Sequence, residues 1–223
     1  MKTMRAVWAI FLKDVRSEVR TRYAVNALLM FVITTLAVIM FSLAGEVISS
    51  SAQAGILWVV MFFAAMSGLS RSFVSEEERG TTFTLQLCAG PLGVYFGKLL
   101  FNVVLVILLN IVIVVLYLLT MDQFVINQPG LFWLVIFLGS LGLAASTTII
   151  AAIIAKASSK GTLFPVLSFP ILLPLLMAGI DATKLAVEDN VWDAAWPNLQ
   201  ILGAYIVVVV TASYMLFDYV WKD

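Results

Sequence analysis

The chain has 223 residues, 62% of them hydrophobic and 12% charged, and its 13 lysines and arginines balance its 13 aspartates and glutamates. A water-soluble fold of this length could not hide so much apolar surface, which leaves the bilayer as the solvent that fits. The chain has no histidine, so it lacks the commonest metal ligand and the commonest general base at neutral pH. Its single cysteine, Cys88, excludes an intramolecular disulfide.

The first 22 residues are amphipathic. Trp8, Phe11, Leu12, Val15 and Val19 recur at spacings of three and four, while Lys13, Arg16, Ser17 and Arg20 point elsewhere. This pattern predicts an elbow helix over 1–22, apolar face down and basic face toward lipid headgroups. The alternative is a basic tail that only fixes topology. Asp14 and Glu18, with no small-residue cleavage site, predict that this segment is not a secretory signal.

Six charge-poor runs follow, at approximately 24–44, 54–73, 99–120, 131–155, 162–180 and 198–217. Each can supply the roughly 20 apolar residues that cross a hydrocarbon core. The turn-like Asn127–Gly130 sets the start of the fourth run near Leu131. None of the runs alternates as a barrel strand does, so the fold class is an all-α integral membrane protein, one transmembrane domain over 1–223. Lys2, Arg5, Lys13, Arg16, Arg20 and Arg22 precede the first span; Arg71, Arg79 and Lys98 fall between the second and third; Lys156 and Lys160 fall between the fourth and fifth; Lys222 follows the sixth. Of the lysines and arginines, only Lys184 joins Glu46, Asp122, Asp181, Glu188, Asp189 and Asp193 on the other side, so both termini are expected to be cytoplasmic.

The most polar stretch is SRSFVSEEERGTTFTLQLCAGPLGVYFGK, residues 70–98, with a loop expected at 74–98. Its closing Gly97-Lys98 is not a phosphate loop, because Leu92 stands where that motif needs glycine and Leu99 where it needs Ser or Thr. Ser75 and Glu78 have capping-box spacing, which would put Glu76, Glu77 and Glu78 in a first helical turn. Gly80 interrupts, and the following TFTLQL reads equally as a short helix or as an alternating strand. Taken alone, the segment is either a docking element or an ordinary solvated loop.

In the third span Asn102 and Asn110 share a face, as interhelical hydrogen-bonding groups or substrate contacts. Gly139, Gly142, Ala145 and Ser146 form a stripe that permits close helix approach. In the fifth span Pro165, Pro170 and Pro174 each remove a backbone donor, bending the helix either for packing or as a moving gate. In the outer loop, 181–197, Trp192 and Trp196 are spaced to share a helical face, as interfacial anchors or as a platform for a flat ligand or a partner.

An elbow helix, six spans and an E-E-R-G-T…L…P…G-K loop resemble the permeases of type-2 ABC exporters. FLKDVRSEVRTR (Phe11–Arg22), LFPVLSFPILLPLL (Leu163–Leu176) and the compact length resemble the CcmB family, the membrane subunit of the cytochrome c maturation haem exporter, over essentially the whole chain. The resemblance implies that the loop between spans two and three is a coupling helix. Ser75, Glu76, Glu77, Glu78, Arg79, Gly80 and Thr81 would face a separate ATPase subunit, with Leu85 and Leu87 packing beneath. It implies no catalytic residue, no metal site and no nucleic-acid partner, with ATP bound on the partner and haem handled by the complex. The implied partners are the ATPase, a haem-handling membrane subunit, a periplasmic haem chaperone and a second copy of the chain, in the bacterial inner membrane. Without histidine, and with Cys88 on the cytoplasmic side, the chain is expected to bind no haem directly. Two mechanisms stay open: outward movement of haem, or ATP-driven release of a haem-loaded chaperone. The alternatives are an exporter of lipid, polysaccharide or drug on the same fold, or a structural scaffold. An intrinsic enzyme is disfavoured because no intramembrane acid, base or metal cluster appears.

Overall fold

The computed structural model describes residues 2–43, 46–69, 71–155, 160–188 and 192–222. Among them the chain forms α1 (Lys2–Thr21), α2 (Tyr23–Ser42), α3 (Ser50–Leu69), α4 (Arg71–Glu78), α5 (Thr82–Cys88), α6 (Pro91–Thr120), α7 (Pro129–Ala155), α8 (Lys160–Val187) and α9 (Trp192–Lys222), with no strand. Helices α2, α3, α6, α7, α8 and α9 are long and apolar enough to cross a membrane. The chain is a multi-pass helical membrane protein.

Several helices outrun their apolar runs. At 1.5 Å per residue the 30 residues of α6 span about 45 Å, more than the roughly 30 Å of hydrocarbon. Helix α8 continues through 181–187 because Ala182, Thr183, Ala186 and Val187 are buried and give the extension a packing surface. Its last carbonyls find donors in the turn before α7: the Gln128 amide donates to the Ala186 carbonyl at 3.0 Å, and the Asn127 side chain donates to that of Val187. Pro129 opens α7, where a missing amide proton leaves nothing unpaired. At the same end the Gln123 side chain donates to the Glu46 carbonyl at 2.9 Å and accepts from the Ile48 amide at 3.2 Å.

Helix α7 lies at the centre, against α3, α4, α6, α8 and α9. Its small residues are seats for large side chains. The Trp58 indole of α3 occupies the space where a Cβ on Gly139 would stand, 2.2 Å from Cη2, and where one on Gly179 of α8 would stand, 2.3 Å from Cζ2. Its Nε1 donates to Thr183 Oγ1 at 2.9 Å, so the buried polar atom is satisfied. Gly142 likewise receives Leu175. Asn102 and Asn110, both fully buried, donate from Nδ2 to Thr148 Oγ1 and Ser140 Oγ at 2.8 Å each, joining α6 to α7. Hydrogen bonds of this kind are each worth about 0.6 kcal/mol in membranes.

Helix α8 passes through Pro165, Pro170 and Pro174 without ending; the side chain of Pro165 lies outside the described residues. Pro174 withholds the donor that an unbroken helix would present to the carbonyl of residue 170. Beside that gap Tyr205 of α9 donates to the Ile171 carbonyl at 3.0 Å, and its hydroxyl also meets Ser146 Oγ at 2.7 Å. A neighbouring helix thus supplies a donor where the prolines weaken the ladder.

Gly139→Ala should cost about 1–3 kcal/mol by overpacking the Trp58 ring. In the Trp58→Phe background the same change should cost less, because the shorter ring withdraws from the clash. A double-mutant cycle of unfolding in lipid nanodiscs measures this coupling; additive costs would refute the seating of Trp58.

Candidate functional site

The polar segment does not leave the bundle as a loose loop. Helix α4 follows α3 and stops at Gly80, whose φ of 65° suits a residue without Cβ. The Gly80 amide donates to the Glu77 carbonyl at 3.1 Å and the Thr81 amide to that of Glu76 at 3.0 Å, the paired bonds of a Schellman ending. Ser75 is therefore not an N-cap, and Glu76, Glu77 and Glu78 occupy the last turn of α4, not a first turn. There the helix dipole opposes them, by a few tenths to about 1 kcal/mol each at exposed positions.

Cations offset this for Glu76. Lys98 of α6 is only 1% exposed. Its Nζ donates to the Ser72 carbonyl at 2.8 Å, to Asp14 Oδ2 of α1 at 3.2 Å and to Glu76 Oε1 at 3.3 Å. It also lies 5.3 Å from the centre of the Phe73 ring. Lys13 pairs with Glu76 Oε1 and with Asp14 Oδ1, the latter at 3.2 Å, and the Thr81 hydroxyl donates to the second Glu76 oxygen. Two ammonium groups and two carboxylates so form a neutral cluster joining α1, α4 and α6. Partial burial alone would lower the pKa of Lys13, but Asp14 and Glu76 outweigh it and hold it above its ordinary value.

Glycine spacing brings α1 to this place. Gly93 and Gly97 lie four apart on α6, and a Cβ on them would stand 3.0 Å from Ala6 Cβ and 2.8 Å from Ile10 Cβ. The helices therefore meet almost backbone to backbone, which carries Asp14, one turn beyond Ile10, to Lys98. Trp8 and Val19 of the expected apolar stripe stay exposed, with Trp8 against Phe11 at 5.3 Å between ring centres. Beside the cluster a cavity of about 650 Å³ separates α1 from α4 and α5, its lining including Lys98, Asn102, Glu18 and Arg79.

Ser75 and Thr81 are half-buried and Glu76 is turned inward, whereas Glu77, Glu78, Arg79 and Gly80 are exposed. The TFTLQL run is helical. Successive residues turn by about 100°, so Leu85 and Leu87 lie on opposite sides. Leu85 packs against the core, but Leu87 is 89% exposed and does not pack beneath the segment. It shares its outer face with Phe83, 76% exposed and one turn earlier. Gln86 ties α5 to the end of α9 through the Trp221 carbonyl at 2.7 Å. Trp192 and Trp196 are exposed at the far end of the bundle. Pro170 and Pro174 lie along α8, so neither pair converges on the charged cluster. No group of three His, Cys, Asp or Glu residues that could hold a metal occurs among the described residues.

Sequence reasoning missed the pairing of Lys13, Asp14 and Lys98 with Glu76, and the exposed Phe83. The available signal was the Gly-x-x-x-Gly spacing of Gly93 and Gly97, which marks a face for a close helix neighbour.

Six membrane-crossing helices, with a polar helical segment folded back on the bundle, define the class: a polytopic membrane subunit. More particularly, the chain belongs to the CcmB family, whose model, described as CcmB protein, matches residues 5–217. This is a family of ABC-transporter permeases of cytochrome c biogenesis and haem transport, and its members are membrane subunits, not themselves enzymes. No curated protein matches the chain.

Lys98→Met leaves two largely buried carboxylates to Lys13 alone, one negative charge uncompensated, and should destabilise the protein by about 3–5 kcal/mol. Neutralising the partners as well, with Asp14→Asn and Glu76→Gln, should recover most of that loss. Thermal unfolding of the single and triple variants in nanodiscs measures both; a triple variant no more stable than Lys98→Met would contradict the ionic cluster.

Proposed function

We propose that this chain is the permease subunit of an ABC machine for cytochrome c maturation in the bacterial inner membrane, with both termini cytoplasmic and α1 as an elbow helix in the interface. The segment Ser75–Cys88 docks on a separate ATPase subunit that binds and hydrolyses ATP. The observation that carries this reading is the exposed apolar pair Phe83 and Leu87 on α5, flanked by exposed Glu77, Glu78 and Arg79. Two large apolar side chains at the polar end of a membrane protein gain nothing from lipid or water and suit a protein groove. Ser75, Glu76 and Thr81 support that face from within.

Of the two mechanisms, release of a haem-loaded chaperone fits the chain better than passage of haem through it. A chain without histidine leaves axial ligation to partner subunits, and Cys88 sits on the docking segment, away from the opposite face. Trp192 and Trp196 would then anchor the outer face or receive the haem-handling subunit. ABC machines use two facing ATPase sites, so two copies of the chain, related by a two-fold axis, complete the membrane unit.

Phe83→Ser with Leu87→Ser should reduce recovery of the ATPase with the tagged permease at least about tenfold, the worth of one large buried apolar side chain. Charge reversal of Glu77 and Glu78 should act in the same direction, while membrane insertion stays normal. Unchanged ATPase recovery and an unchanged yield of c-type cytochromes would overturn the docking assignment. A lipid or drug exporter would instead bring down the ATPase without any haem-handling partner.

A further inference from the structure

We infer that Lys98 is the positioning residue of the coupling step: with Asp14 and Glu76 it makes α1, α4 and α6 move as one body when the partner displaces α5. The inference rests on the reading that Ser75–Cys88 receives an ATPase.

A glycine stands on either side of helix α5 in the chain, and its side chains reach the bundle through Gln86 on α9 and Leu85 on the core. On one side stands Gly80, where a Cβ would meet nothing within 4 Å; on the other, Gly90 is equally unobstructed and Ala89 is extended. Through the backbone alone, a push on α5 would be absorbed at these glycines. A side-chain route bypasses the first of them. The Thr81 hydroxyl, at the start of α5, holds Glu76 of α4, and Glu76 meets Lys98, in the third turn of α6. Lys98 and Lys13 carry the connection on to α1.

The ammonium of Lys98 has three protons and three oxygen acceptors: α4 supplies two, the Ser72 carbonyl and Glu76, and α1 supplies the third, Asp14. Parting Lys98 from both carboxylates leaves its charge unpaired in a buried site, which resists separation of α6 from α1 and α4 together. The glycine contact of α1 on α6 blocks their mutual approach but does not hold α1 to α4. Across the cavity between α1 and α4 the bridging is done by Lys13 and Lys98. Without the cluster, α1 and α4 have the room to move separately.

The test uses the whole permease–ATPase complex in nanodiscs, comparing wild type with the double variant Lys13→Gln, Asp14→Asn, which releases α1 and leaves Lys98 paired with Glu76. Spin labels at Arg16 on α1 and Thr84 on α5, both exposed, report the distance between the two helices by pulsed electron resonance, with Cys88 replaced. In wild type this distance should keep one narrow distribution in nucleotide-free and ATP-trapped complexes. In the double variant it should broaden and shift on ATP trapping, with ATPase recovery retained. The yield of c-type cytochromes in cells should fall by roughly 5- to 150-fold, the range of a typical coupling free energy. Lys98→Arg, which keeps the cation, should recover yield lost in Lys98→Met. Wild-type distance behaviour in the double variant, loss of its ATPase recovery, or Lys98→Arg no better than Lys98→Met would each overturn the inference. If wild type itself retains no ATPase, the docking reading fails first and this one with it.

Discussion

The ammonium group of Lys98 sits almost completely out of water at the polar end of the bundle, and much of the surrounding structure is arranged by what that charge requires. An unpaired ion there would cost several kcal/mol, so carboxylates must be brought to it. Glu76 comes from the end of α4, where the helix dipole disfavours an acid, and Asp14 comes from α1. Lys13 balances the second negative charge. The placement of α1 on α6, the inward turn of Glu76 and the close of α4 at Gly80 are parts of one electrostatic solution.

Elsewhere the bundle is held by shape. Association of helices in lipid draws little from the hydrophobic effect, because lipid tails are as apolar as leucine, and relies on contact and hydrogen bonds. Trp58 between Gly139 and Gly179, and Leu175 at Gly142, show how this is met: small residues remove side chains where a neighbour's large one must lie. Asn102 and Asn110 add polar pins on the same interface. At the far end, main-chain groups dominate, with Asn127 and Gln128 closing the end of α8. Three kinds of force therefore act at three depths.

This layering bears on how a CcmB-family subunit can work. The middle is interlocked by steric contacts that tolerate little change. The polar end combines an exposed apolar pair, Phe83 and Leu87, with a buried ionic cluster a short distance behind it. Glycine links beside rigid short helices are what a segment needs if it is to accept a partner and pass displacement inward.

The number of spans, the helical class, the amphipathic first helix and the break at Gly80 were legible in the sequence, because each depends on residues close together in the chain. Hydropathy over 20 residues, periodicity over five turns and one glycine's freedom at positive φ act locally. The small-residue stripe of α7 was legible as a place of close approach, but the identity of its occupant was not. The direction of the glutamates was misread, since Ser75 and Glu78 satisfy a local helix-start pattern while the helix in fact arrives from α3. Leu87 was placed beneath the segment by the family resemblance; TFTLQL is helical, which turns Leu87 away from Leu85 and leaves it exposed. Above all, Asp14 and Lys98 are 84 positions apart, and no spacing rule pairs them. Which helices face one another was decided by the fit of Ile10 against Gly97, and the charges then met because a buried ion accepts no arrangement that leaves it alone.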